Sequence, residues 1–139
     1  NQVIGTRYLQ EKQSTRADVT ATGDVAAWVN AGADAALHKT GIVAGSGRGP
    51  SLRLTVDNIK TDESVYHRAT YNGRVALTGE LVSPSGGSCW KDSVEGSSEN
   101  YGYAGSAENY QETLNHALDR AMIRILGSGS FRTAVCNCQ

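Results

Sequence analysis

This chain of 139 residues contains little proline, no long apolar run and no marked excess of charge of either sign. Its 13 basic and 14 acidic side chains leave a formal net charge of -1, so no summed field attracts DNA, RNA or an anionic membrane. No apolar stretch approaches the roughly 20 residues that span a bilayer. With two prolines, three cysteines and 39% hydrophobic residues, the composition predicts one globular domain with an apolar core.

Two segments show the three- and four-residue spacing of apolar side chains that is typical of helices. The first follows Asp24, a favourable N-cap, and ends near Gly41, which suits the left-handed position after a helix. Within it, Gly32 indicates a close approach to a neighbouring element. The second has an apparent capping box, Asn109 with Glu112, and ends at Gly127. Its predicted inward residues are Leu114, Ala117, Leu118, Ala121 and Ile125.

Strand signals fill most of the remaining sequence. Residues 3–8 and 19–22 predict one or two N-terminal edge strands, and the alternation in SLRLTVDNI predicts a half-buried strand. Asn72-Gly73 is typical of a hairpin turn, but that turn would place apolar and charged side chains on one face. We therefore predict one long strand over residues 64–82 with a bulge at Gly73, paired with a further strand in SCWKDSVEG. Its predicted inward residues are Val65, Ala69, Tyr71, Val75, Leu77 and Leu81.

The predicted fold class is α+β: a mainly antiparallel four-stranded sheet with two helices packed on one face, in the order β-α-β-β-β-α. Three parts are expected along the chain. Residues 1–23 form an N-terminal extension with an edge strand, residues 24–127 form the α+β domain, and residues 128–139 form a polar tail.

The order of these elements resembles that of a known family. The first helix, the glycine-containing loop, the strands LRLTVDNI and ATYNGRVAL, the SVEG element and the final helix resemble the YajG-like bacterial envelope lipoproteins over about residues 24–126. The resemblance implies a periplasmic domain, tethered to the outer membrane through a lipidated N-terminal cysteine, and no catalytic motif. The start NQVIGTRYLQ contains neither that cysteine nor a signal peptide, so we expect an exported protein whose signal is removed before Asn1.

The three cysteines do not have the spacing of a metal or redox site. Cys89, Cys136 and Cys138 lack the paired spacing of zinc ligands, and Cys-x-Cys is one residue shorter than the redox motif Cys-x-x-Cys. In the oxidising compartment that the resemblance implies, the simplest arrangement is a disulfide from Cys89 to Cys136 or Cys138, which pins the C-terminal tail. The remaining cysteine is then free or bonded to another chain.

Other chemical signals are weaker than their structural explanations. The loop GSGRGP at residues 45–50 leads from a helix to a strand, the reverse of a phosphate-binding loop. His38, His67 and His116 have no metal-ligand spacing. We expect no metal and no cofactor.

Carboxylates on neighbouring predicted strands are the one acid/base candidate, and they would make the protein a hydrolase. These carboxylates are Glu80, Asp92 and Glu95. Exposed carboxylates in strands are common, so we predict that the protein is not an enzyme.

Tyr101 and Tyr103 are the predicted binding residues, because ENYGYAGS has the tyrosine, serine and glycine content of an adaptable recognition loop. Covering the sheet edge is the alternative role. The predicted function is a non-enzymatic periplasmic lipoprotein domain that binds another envelope component and supports assembly of a larger structure. Contact with the membrane would be through the lipid anchor alone. A self-associating subunit of a ring or filament is the alternative.

Overall fold

The computed structural model of the chain describes residues 2–9, 15–41, 49–66 and 68–139. In these ranges the elements follow the order β1 (Gln2–Leu9), β2 (Thr15–Ala21), α1 (Val25–Lys39), β3 (Ser51–Tyr66), β4 (Arg68–Val82), β5 (Ser88–Gly102), α2 (Ala107–Leu126) and α3 (Gly129–Asn137). The class is α+β, as the sequence predicts.

The sheet differs in detail from the prediction. It has five strands in the order β2-β1-β3-β4-β5, and β1 runs parallel to β3 while the other neighbours are antiparallel. The predicted four-stranded antiparallel sheet with two helices is therefore corrected to a five-stranded mixed sheet with three helices in the described part of the chain. The N-terminal segment accounts for the mixed sheet, because β1 and β2 form a hairpin and β1 lies inside the sheet.

The single long strand predicted over residues 64–82 is wrong. The chain reverses between Tyr66 and Arg68, and Val65 lies opposite Ala69 across the resulting β3–β4 pair. Residues opposite each other in an antiparallel pair share a face, and residues four apart in one strand do so as well. Alternation could not distinguish the two arrangements.

Asn72 and Gly73 lie within β4 rather than at a turn, as predicted. The bulge predicted at Gly73 is absent from the described pairing. The β3–β4 register instead shifts between Val56 and Asn58. This irregularity exchanges the two faces of β3, so that side chains at even positions point inward before it and side chains at odd positions point inward after it.

The helix boundaries largely follow the predicted caps. Asp24 accepts hydrogen bonds from the backbone N–H groups of Ala26 and Ala27 at the start of α1. The capping box predicted at Asn109 is wrong, because Ser106 caps α2 by accepting from the Asn109 N–H at 3.2 Å. Asn109 therefore lies one turn inside the helix.

Helices α1 and α2 cover one face of the sheet, which we call the helix face. All five predicted inward residues of α2 are buried there. Two glycines permit close packing: a β-carbon on Gly32 would overlap the Leu118 side chain, and one on Gly96 in β5 would overlap the Ala117 carbonyl oxygen in α2. The other face, which we call the open face, carries polar rows such as Arg53, Glu80 and Lys91, and Lys60, Arg74 and Ser97.

The C-terminal segment is a helix rather than a polar tail. In α3, Phe131 is buried and packs edge-to-face on Trp90 of β5, with ring centroids 5.1 Å apart. Cys138, which follows α3, forms a disulfide with Cys89, and Cys136 is an exposed free cysteine. The predicted choice between two pairings is thus resolved in favour of Cys138.

The contact at Gly96 yields a stability prediction. Gly96→Ala places a methyl group against the backbone of α2, so the helix must shift, and we expect a loss of about 2 kcal/mol in the free energy of unfolding. Gly23→Ala is the matched control, since nothing lies within 4 Å of its added carbon. Urea denaturation of both variants checks this, and equal stability of the two would contradict the close packing.

The disulfide yields a second prediction. Cys89→Ser should lower the free energy of unfolding by about 2–4 kcal/mol, because the bridge closes a long loop and restricts the unfolded chain. Cys136→Ser should leave stability unchanged. Denaturation with and without reductant, together with mass spectrometry of non-reduced peptides, measures both; a Cys89–Cys136 peptide as the main species would refute the pairing.

Candidate functional site: the tyrosine end of the sheet

Tyr101 and Tyr103 lie at one end of the sheet, beside two other side chains that belong to the ends of strands. The register places Tyr66 of β3 opposite Arg68 of β4, and Tyr101 of β5 opposite Thr70, all on the open face. Tyr66 is 60% exposed, Tyr101 56% and Tyr103 89%. We call the surface formed by Tyr66, Arg68, Tyr101 and Tyr103 the tyrosine end.

Polar neighbours orient the ring of Tyr101. The Arg68 guanidinium carbon lies 5.6 Å from the ring centroid, within cation–π range. The Tyr101 hydroxyl donates to the Glu99 carboxylate. This hydrogen bond and the negative charge of Glu99 raise the pKa of Tyr101. The surface therefore combines a cation, a phenol and a carboxylate within one small area.

The loop between β5 and α2, which presents Tyr103, is held from the helix face by buried side chains. The Tyr71 hydroxyl donates to the Tyr103 carbonyl and accepts from the Ser106 N–H at 3.1 Å. The Gly105 N–H donates to the Glu63 carboxylate at 2.6 Å. Gly105 has a φ of 70°, a left-handed conformation that glycine adopts without steric cost. The backbone of the loop is thus fixed at three points.

Glu63 is the centre of this support. Its side chain is fully buried on the helix face of β3. One carboxylate oxygen accepts from Arg7 Nε of β1 at 2.6 Å and from the Tyr110 hydroxyl of α2 at 2.8 Å, and the other accepts from Gly105. The carboxylate therefore joins two strands, a helix and the loop that carries Tyr103.

Hydrogen bonding keeps Glu63 ionised despite its burial. Burial alone raises the pKa of the Glu63 carboxyl, but the bonds from Gly105, Tyr110 and Arg7 outweigh it, so that the pKa is lowered. Burial raises the pKa of both Tyr71 and Tyr110, and the neighbouring carboxylate raises each further. Both phenols therefore stay protonated at neutral pH and serve as hydrogen-bond donors.

The buried Tyr71 and the half-buried Tyr110 also pack on each other. The rings of Tyr71 and Tyr110 meet edge to face, with centroids 4.9 Å apart. Tyr71 is fully buried, and its hydroxyl is the group that reaches the Tyr103 carbonyl. The aromatic contact therefore fixes the position of a hydrogen-bonding group beneath the exposed loop.

Sequence reasoning missed the roles of Arg7, Glu63, Tyr71 and Tyr110. The missed signal is the alternation after the irregularity in β3, where Ile59, Thr61, Glu63 and Val65 occupy one side. A carboxylate on the inward face of a strand requires buried partners, and this requirement would have marked Glu63. Finding the partners themselves needs the pairing of β1 with β3, which the sequence did not predict.

The three carboxylates of the hydrolase alternative do not converge. Glu80 lies opposite Lys91 and Glu95 opposite Ala76, four residues apart along β5; four residues correspond to about 13 Å. Asp92 lies opposite Gly79, and its carboxylate accepts from the Ser93 N–H at 2.8 Å. Glu80 and Asp92 line one surface depression, but Glu95 is not among its lining residues, so the three carboxylates share no site.

The histidines and the glycine loop likewise form no described site. His38 Nδ1 lies 2.9 Å from the Asp34 carbonyl oxygen, and His116 lies 4.0 Å from Glu112. His67 and most of the loop at 45–50 fall outside the described residues. Within the described ranges, no group of three or more histidine, cysteine, aspartate or glutamate side chains is arranged to hold a metal ion.

The ionised state of Glu63 yields a pH prediction. A carboxyl whose pKa is lower in the folded state stabilises the fold above its unfolded pKa, about 4.3, and this contribution disappears as the pH falls through the folded value. Glu63→Gln should cost about 3 kcal/mol near pH 7, because it leaves Arg7 without its buried partner. The difference from the wild type should shrink below about pH 4.

Chemical denaturation of the wild type and Glu63→Gln from pH 3 to pH 7 measures this effect. The control is Glu95→Gln, an exposed carboxylate, which should change the free energy of unfolding by less than about 0.5 kcal/mol. A difference for Glu63→Gln that stays constant over this pH range would refute the ionised, hydrogen-bonded carboxylate.

No described helix is both long enough and apolar enough to cross a lipid bilayer. A scan of protein-family models finds no match to the chain, and a search of the curated proteins finds none either. The resemblance to the YajG-like lipoproteins therefore stays a prediction.

Proposed function

We propose that this chain is a non-enzymatic binding domain of the bacterial envelope that recognises another envelope protein through the tyrosine end and supports assembly of a larger structure. The observation that carries the proposal is the buried support beneath Tyr103. The fully buried carboxylate of Glu63 and the buried phenol of Tyr71 fix the backbone of a loop whose tyrosine is 89% exposed.

Rigid presentation of an exposed aromatic side chain favours binding. Ordering a mobile loop costs free energy when a partner binds, and a loop that is already fixed avoids that cost. Tyrosine supplies a large, amphipathic contact area with few rotatable bonds, and it is enriched among residues that dominate interfaces. The adjacent Arg68 and Glu99 supply charges of both signs, which suits a protein surface with mixed polar groups.

The disulfide supports the proposed compartment. Such bonds persist in the periplasm and outside the cell, whereas cytosolic thiols are kept reduced. The Cys89–Cys138 bridge is therefore consistent with an exported protein. The proposed tether to the outer membrane is a lipid on a cysteine that precedes Asn1.

Self-association is the second candidate function, and the exposed Cys136 favours it, because a free thiol on the surface can bond to a second chain. Non-reducing electrophoresis of the oxidised protein distinguishes this candidate: a dimer that Cys136→Ser abolishes would support it. A monomer at high concentration under oxidising conditions would count against it.

The binding proposal is tested by capture followed by measured affinity. The oxidised domain is immobilised, a protein is recovered from envelope extract, and that protein is then purified and titrated against variants. Tyr103→Ala should weaken the purified interaction by about 2 kcal/mol, or roughly thirtyfold in Kd, as expected for a central aromatic residue. Tyr101→Ala should weaken it as well.

Ile123→Ala is the matched control, because Ile123 is 57% exposed on α2, away from the tyrosine end. Its Kd should equal that of the wild type. A captured protein that binds Tyr103→Ala and the wild type equally would refute the proposed surface, even if the interaction itself is real.

A further inference from the structure

The free edge of β5 is the longest strand edge that the described sheet leaves without a neighbouring strand. β5 spans 15 residues and pairs with β4 on one side only. Such an edge offers rows of backbone N–H and C=O groups to any extended chain, and natural sheets usually protect it. Side chains of this protein engage those groups at regular intervals.

Three hydrogen bonds occupy backbone groups of β5. Arg120 Nη1, from α2, donates to the Ser97 carbonyl at 2.6 Å. The Ser93 N–H donates to the side-chain oxygen of Asp92 at 2.8 Å, and the Tyr101 N–H donates to that of Asn100 at 2.9 Å. Two charged side chains and one amide thus take the positions that strand pairing would use.

The spacing of these bonds matches the geometry of an edge. Ser93, Ser97 and Tyr101 are four residues apart, and alternate residues of an antiparallel strand direct both backbone groups to the same side. The Ser97 carbonyl accepts from a helix side chain and not from β4. The backbone groups of these three odd-numbered residues therefore point away from β4. An incoming strand would have to break one of these bonds at every second position where it could pair.

The beginning of the same strand is joined to the C-terminal segment by its side chains. Cys89 is bonded to Cys138, and Trp90 Nε1 donates to the Ser130 hydroxyl at 3.1 Å. Outward backbone groups of β5 are thus engaged between Ser93 and Tyr101, and its first residues are anchored through their side chains.

We infer that the β5 edge is closed to strand addition, both by a second copy of the chain and by an extended segment of another protein. A partner that approaches this side is consequently bound by side chains and not by sheet extension. This inference does not depend on the proposed function, because the three bonds close the edge whether or not the tyrosine end is a binding surface.

The test removes the three blocking side chains together, in the variant Asp92→Ala, Asn100→Ala, Arg120→Ala. A control variant changes exposed residues of the same types elsewhere: Asp34→Ala, Asn30→Ala, Arg53→Ala. The probe is a fluorescent peptide with the sequence of residues 90–102, and its binding is followed by anisotropy. The unblocked variant should bind it at least about tenfold more tightly than the wild type and the control.

Amide hydrogen exchange of the wild type supplies a second measurement that requires no variant. The N–H groups of Ser93 and Tyr101 should exchange more slowly than those of Glu95 and Glu99. The N–H groups of these two glutamates also point away from β4 but have no side-chain acceptor of this kind in the described contacts. Equal exchange at all four positions would overturn the inference, as would equal peptide binding by the wild type and a folded unblocked variant.

Discussion

The hydrogen bonding of one buried carboxylate determines how this fold is joined together. Glu63 is removed from water, which costs several kcal/mol for an ion, and its partners come from β1, α2 and the loop between β5 and α2. Replacing such a cluster by apolar side chains can preserve stability, so its value lies in specifying position. Each partner must take one position in order to donate a hydrogen bond to the Glu63 carboxylate. Because one donor is the N–H of Gly105, the loop that carries Tyr103 is positioned as well.

Much of the architecture follows from patterns that the sequence shows locally. The stripes of apolar residues predict α1 and α2, and alternation predicts which residues of β4 face the helices. The same alternation fails at the β3–β4 reversal, because Val65 and Ala69 share a face whether the chain turns or continues. It also fails where the register shifts between Val56 and Asn58. If the alternation of the first half of β3 is continued past this point, the Glu63 side chain is predicted to be exposed to solvent.

The candidate functional site was also only partly predictable from the sequence. Composition points to Tyr101 and Tyr103, because their neighbours are the small polar residues that surround exposed aromatic rings. The support beneath them combines residues 56 positions apart, Arg7 with Glu63, and depends on a parallel pair of strands. No local pattern contains that information, because a parallel pairing is created by the path of the whole chain between the two strands.

The disulfide has a mechanical consequence. A pull on the C-terminal residue would not unwind α3 turn by turn, since Cys138 transmits the load through a covalent bond to Cys89 at the beginning of β5. The load would then enter the sheet along a strand that is hydrogen-bonded to β4 over nearly its whole length. Resistance to such a pull therefore depends on the disulfide and on the pairing of β5 with β4, and not on the hydrogen bonds within α3.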